Sequence, residues 1–137
     1  MNLTSPVLFL IFNRPETTRQ VFSVIKKAKP SRLYIAADGP RLEYPEEANH
    51  CEHARAIATN VDWDCEVKTL FRKQNLGCGL AVTSAIDWFF EQEAEGIILE
   101  DDTKPSEQFF QFINFGLKKY RHDKNIGSIC GYNPINP

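Results

Sequence analysis

Three consecutive carboxylates, Glu100-Asp101-Asp102, end the short apolar run Gly96-Ile97-Ile98-Leu99 and are followed at once by Thr103-Lys104-Pro105. A buried parallel strand of an α/β protein has this apolar character, and ligands of such proteins bind beyond the carboxyl ends of the strands. Three acids crowded at a strand tip repel one another unless a cation sits among them. Their hard oxygens suit Mg²⁺, Mn²⁺ or Ca²⁺ rather than zinc, and metals of this class commonly hold phosphates. The same acids would also serve as a solvated turn capping the next helix, because carboxylates are favoured at a helix N-terminus. Pro105 suits the first turn of that helix. Taken alone, the stretch leaves both readings open. A second cluster, His50-Cys51-Glu52-His53, is followed by no further ligand pair at finger-like spacing and is not expected to hold zinc.

The elements that must position these groups are read from hydrophobic spacing. Residues 6–12 form a continuous apolar run of strand length, ending in Asn13-Arg14-Pro15-Glu16, a helix-start signal. Val21, Phe22, Ile25 and Ala28 then follow helical spacing until Pro30. A second strand at 33–37 ends in the turn Asp38-Gly39-Pro40. A helix is expected over about 46–59, a third strand over 65–71, a polar loop over 72–78, and a helix over about 80–92. The fourth strand is 96–100, and a helix is expected over 105–120. A fifth short strand is expected over 126–130, broken by Gly131-Tyr132-Asn133-Pro134. Strict alternation of strand and helix implies right-handed crossovers and a mostly parallel sheet.

In that topology the loops after strands one to four share one edge of the sheet. Asn13 and Arg14, Asp38 and Gly39, the stretch from Arg72 through Asn75 to Gly77, and Glu100 to Asp102 would meet on a single rim. Arg14 and Arg72 could neutralise phosphate oxygens, and Asp102 could hold a bridging metal. Asp38 would accept from a base N–H or a ribose hydroxyl, or else is simply the turn former before Gly39. Asn75-Leu76-Gly77-Cys78-Gly79 lacks the third glycine of a dinucleotide fingerprint, and no GxxxxGK[ST] or GxSxG occurs. The aromatic set Trp88, Phe89, Phe90, Phe109, Phe110 and Phe112 reads as core.

The 137 residues fit one domain, and a net charge of −2 gives no field for nucleic acid or an anionic membrane. The apolar stretch 7–12 is too short for a signal core or a membrane span, so a cytoplasmic protein with four free thiols is expected.

The ordered set of apolar strand then Asn13-Arg14-Pro15, strand then Asp38-Gly39, Asn75-Leu76-Gly77 before a helix, and Ile98-Leu99-Glu100-Asp101-Asp102 resembles the GT-A glycosyltransferases. The likeness runs from Pro6 to Asn133, and is strongest to the N-acetylglucosaminyltransferases that initiate complex N-glycans and to bacterial family 2 enzymes. It implies a three-layer α/β/α, Rossmann-like nucleotide-diphospho-sugar transferase domain over 1–137, binding a nucleotide-sugar, UDP-sugar above all, with Mn²⁺ or Mg²⁺. It makes Asp102 the metal ligand, Asp101 a partner of ribose or sugar hydroxyls, and Glu100 a residue facing the donor. By the same likeness Asp38 reads a uracil-like base and Arg14 and Arg72 lie near the diphosphate. Asn13, Gly39, Asn75 and Gly77 complete the donor site. The acceptor half, its catalytic base and a glycan or lipid-linked acceptor are expected beyond residue 137, which leaves an edge through which copies could associate. Two other readings stand beside it: a non-catalytic nucleotide- or sugar-binding module acting through a partner, and a structural domain whose acidic rim is only a helix cap.

Overall fold

The computed structural model describes residues 3–132 and residue 135. Four strands, β1 (Val7–Ile11), β2 (Arg32–Ala37), β3 (Glu66–Phe71) and β4 (Ile97–Glu100), alternate with four helices. These are α1 (Pro15–Ala28), α2 (Glu47–Ala58), α3 (Cys78–Phe90) and α4 (Glu107–Tyr120). The strands form one all-parallel sheet in the order β3-β2-β1-β4.

Sequence character follows position in the sheet. β1, Val-Leu-Phe-Leu-Ile, and β2 from Leu33 onward are buried on both faces, which a central parallel strand requires. The outer strand β3 carries Glu66 and Lys68, charges that protect an unpaired edge. Because side chains alternate along a strand, Val7, Phe9 and Ile11 pack with Val21 and Ile25 of α1, Ala54 of α2 and Phe110 of α4. Leu8, Leu10 and Tyr34 pack with Ala85 and Phe89 of α3. Phe9, Ile25 and Ile35 are fully buried, and each contributes roughly 1.5–3 kcal/mol through apolar area removed from water. Tyr34 meets Phe89 edge to face at 4.9 Å, and its hydroxyl donates to Glu93 at 2.8 Å.

Each helix begins close to where its signals put it. Pro15 stands in the first turn of α1, where a missing N–H costs nothing, and Lys29 closes the helix at φ 49° before Pro30. The expected helix over 105–120 is corrected at its start. Ser106 caps α4 by accepting from the Phe109 N–H at 3.3 Å, so Pro105 precedes the cap instead of filling the first turn.

The fifth strand expected over 126–130 does not form. Gly127 weakens extended pairing there, and β4, with four residues, offers a short ladder. Ile129 instead lays its side chain over Gly116 of α4, where any Cβ would collide with it. Packing against the helix has displaced pairing with the sheet. The expected break at Asn133-Pro134 lies outside the described residues. Among the described residues no helix is long and apolar enough to cross a membrane, and the four cysteines are unpaired.

Candidate functional site

The β1 and β4 tips are joined by Arg14. Its guanidinium donates to Asp101 at 2.6 Å and to Asp102 at 3.2 Å. Parallel pairing of β1 with β4, Leu10 opposite Glu100, is what sets the two loops side by side. The two aspartates differ sharply. Asp101 is 3% exposed and also accepts the Phe12 N–H at 3.3 Å. Burial pushes its carboxyl up, and the charge and hydrogen bond of Arg14 oppose that rise. Asp102 is exposed, as is Glu100 one residue before the buried Asp101. The three adjacent acids are therefore split: Asp101 turns inward as an anchor, and Asp102, although paired with Arg14, stays open to solvent.

At the β2 tip, Asp38 is buried and every acceptor position of its carboxylate is engaged. Oδ1 accepts the Gly39 and Leu76 N–H groups, each at 2.8 Å, and Oδ2 accepts the Gly77 N–H and the Asn75 amide, each at 3.1 Å. Asn75 also donates to the Gly39 carbonyl at 2.8 Å. The carboxylate thus ties the β2 tip to the loop that opens α3. Gly39 is required by the same closeness, since a Cβ there would overlap the Gln74 backbone. Gly77, at φ 83° and ψ 153°, supplies a positive-φ conformation before the helix that side chains other than glycine rarely adopt. Arg72 leaves the β3 tip toward α3, where it donates to the Ser84 hydroxyl at 3.2 Å. It borders a small, mainly apolar cavity of about 40 Å³ between the sheet and α3.

Three residues outside the motifs belong to this rim. Glu47, 5% exposed at the start of α2, takes the Arg41 guanidinium at 2.6 and 3.1 Å, the Arg41 N–H at 2.7 Å and the Asn13 amide at 2.7 Å. Arg55 stacks on Phe71 at 4.9 Å and donates to the Asp38 and Arg72 carbonyls, at 3.1 and 2.7 Å, holding the β2 and β3 tips together. Nothing in spacing separates Glu47 from its neighbour Glu46, or Arg55 from an ordinary surface arginine. The only available hint was Arg41 directly after a turn.

The Arg41 hydrogen bonds hold the Glu47 carboxyl well below the usual carboxylate range, at about 2. A carboxyl lowered by folding adds stability above its unfolded value, and that stability is lost as the pH falls through the folded value. Acid unfolding should therefore steepen between roughly pH 4.3, the ordinary glutamate value, and about 2. Glu47→Gln should flatten that part of the curve in pH-dependent thermal melts. Identical wild-type and variant slopes there would mean the pair adds no stability.

The rim does not present a closed metal cage. Among the described residues no group of three or more His, Cys, Asp or Glu side chains is placed to hold an ion, and the His50–His53 stretch assembles none. Asp102 nevertheless fits the limited demand of Mg²⁺ or Mn²⁺, which take one or two carboxylates and complete their shell with water and substrate phosphate. Its neighbours are the half-exposed guanidinium of Arg14 at 3.2 Å and the Thr103 hydroxyl at 3.4 Å. No family model, curated protein or solved structure matches the chain.

Proposed function

We propose that the chain is the donor-binding half of a GT-A-type glycosyltransferase, a three-layer α/β/α domain that takes up a nucleoside diphospho-sugar, UDP-linked, together with Mn²⁺ or Mg²⁺. One observation carries this reading: Arg14 clasped to Asp101 and Asp102 at the sheet's carboxyl edge. A guanidinium suited to phosphate oxygens and a carboxylate suited to a divalent cation meet at one point there. Asp102 would hold the metal, which when bound would stabilise charge developing on the leaving diphosphate. Arg14 would turn from the aspartates to the phosphates, and Asp101 would keep the β1 loop in register through the Phe12 N–H. Asn13, Gly39, Asn75 and Gly77 would shape the rim, with Arg72 at its far side. The reading places the protein in the cytoplasm and assigns a catalytic base and a glycan or lipid-linked acceptor to the acceptor half.

Calorimetry with UDP, with and without Mn²⁺, tests the proposal. UDP is expected to bind with the metal and to lose most of its affinity after chelation by EDTA. Asp102→Asn should remove the metal-dependent part, a loss of at least about tenfold, or 1.4 kcal/mol. Glu52→Gln, on the exposed side of α2, should change nothing. Equal binding with and without metal would refute the role of Asp102.

A further inference from the structure

We infer that the exposed ring of Tyr44, backed by the guanidinium of Arg41, is the surface on which the planar base of a nucleoside diphosphate stacks. The inference rests on the donor-site reading and assigns the base a place that reading left to Asp38. Asp38 cannot fill that role while its carboxylate accepts four hydrogen bonds from residues 39, 75, 76 and 77. An outward hydrogen bond to a base would have to displace one of these four, three of which join β2 to the loop that opens α3.

The loop after β2 offers a flat surface instead. The Arg41 guanidinium lies over the Tyr44 ring at 4.4 Å and stands 5.9 Å from the Phe12 ring. It is not free to swing away, because Glu47 grips it from the side and is itself buried and bonded to Asn13. Tyr44 is 52% exposed and the Arg41 side chain 42%, so about half of the pair's surface lies in solvent. An immobilised aromatic–guanidinium pair has already lost the rotamer freedom that a ligand would otherwise have to remove. The platform also joins the diphosphate end of the rim directly. Phe12 and Asn13, which meet Arg41 and Glu47, are adjacent in the chain to Arg14, and the Phe12 N–H is bonded to Asp101. Stacking tolerates any base, so the platform would supply affinity, and selection among bases would come from elsewhere.

Titration calorimetry in Mn²⁺ with UDP and with inorganic pyrophosphate, on wild type, Tyr44→Ala and Tyr44→Phe, tests the inference. Tyr44→Ala is expected to weaken UDP by about ten- to a hundredfold, the usual loss of one base stack, and to leave pyrophosphate and the ligand-free Tm unchanged. Tyr44→Phe keeps the ring and should bind UDP like wild type. If Tyr44→Ala leaves UDP binding intact, or weakens UDP and pyrophosphate equally, the platform is wrong while the donor site stands. Failure of Tyr44→Phe to restore binding would also overturn stacking. If wild type binds neither UDP nor pyrophosphate, the donor site itself fails and the platform falls with it.

Discussion

Replacing Asp38 by alanine is expected to cost the ligand-free protein about 3 kcal/mol, seen as a fall in Tm of roughly 10 °C. The carboxylate is buried and accepts three backbone N–H groups and one side-chain amide. Its removal leaves those donors without a charged acceptor in a place where water enters poorly, and an unsatisfied buried donor costs about 1–3 kcal/mol. Asn75→Ala removes one of the four hydrogen bonds and the link to the Gly39 carbonyl, so its loss should be smaller. Circular dichroism melts of both variants without nucleotide check the order. An unchanged Tm for Asp38→Ala would show that the carboxylate does not hold the β2 and α3 loops together, and would return it to the list of base-reading groups.

Arg14→Ala should destabilise the protein by about 2 kcal/mol at neutral pH, toward the low side for a broken buried pair, because the half-exposed arginine is partly screened by water. Asp101 would keep only the Phe12 N–H at 3.3 Å while remaining 3% exposed. Burial already raises its carboxyl, and Arg14 is the main influence that lowers it. Without Arg14 the folded state would hold a proton on Asp101 more readily than the unfolded chain does. The sign is therefore opposite to that of Glu47: the variant's deficit should shrink as the pH falls through the raised value. Thermal melts of variant and wild type from neutral pH down to about 4.5 read this directly, and a deficit independent of pH would remove Asp101 from the explanation. Mn²⁺ adds a functional arm. Once the guanidinium no longer competes for Asp102, the metal should raise the Tm of the variant more than that of wild type, in line with ligand linkage. Equal shifts would mean that Arg14 and the cation do not share a place.

The Arg14 ion pairs and the Asp38 hydrogen bonds divide the rim into groups that hold its loops and groups that stay exposed. Asp38, Asp101 and Glu47 turn their carboxylates inward, and Arg55 its Nη2 group, tying neighbouring loops. Asp102, Tyr44 and the outer face of Arg41 remain open to solvent. Rigid supports beneath a few exposed groups are what precise ligand positioning demands.

The strands and helices were legible in the chain because their causes are local. A continuous apolar run such as Val7 to Ile11 suits only a strand covered on both faces, and Pro15 after Asn13-Arg14 can only begin a helix or a turn. Alternation of such runs with helical spacing then implies parallel pairing, which carries the loops after β1 to β4 to one edge. That much puts Arg14, Asp101 and Asp102 on one rim, but that β1 pairs with β4 and so sets them side by side was decided by the tertiary structure. The division of labour among the polar residues was not legible, because it depends on distances between loops far apart in the chain. Asp38 meets the N–H groups of residues 76 and 77, and Asn13 meets Glu47 rather than Glu46. The failure of residues 126–130 to pair has the same origin: their apolar pattern suits a strand, but Gly116 of α4 opens a slot that Ile129 fills. Periodicity records which face of an element seeks burial. Which partner each polar or apolar group finds is decided only when the elements close on one another.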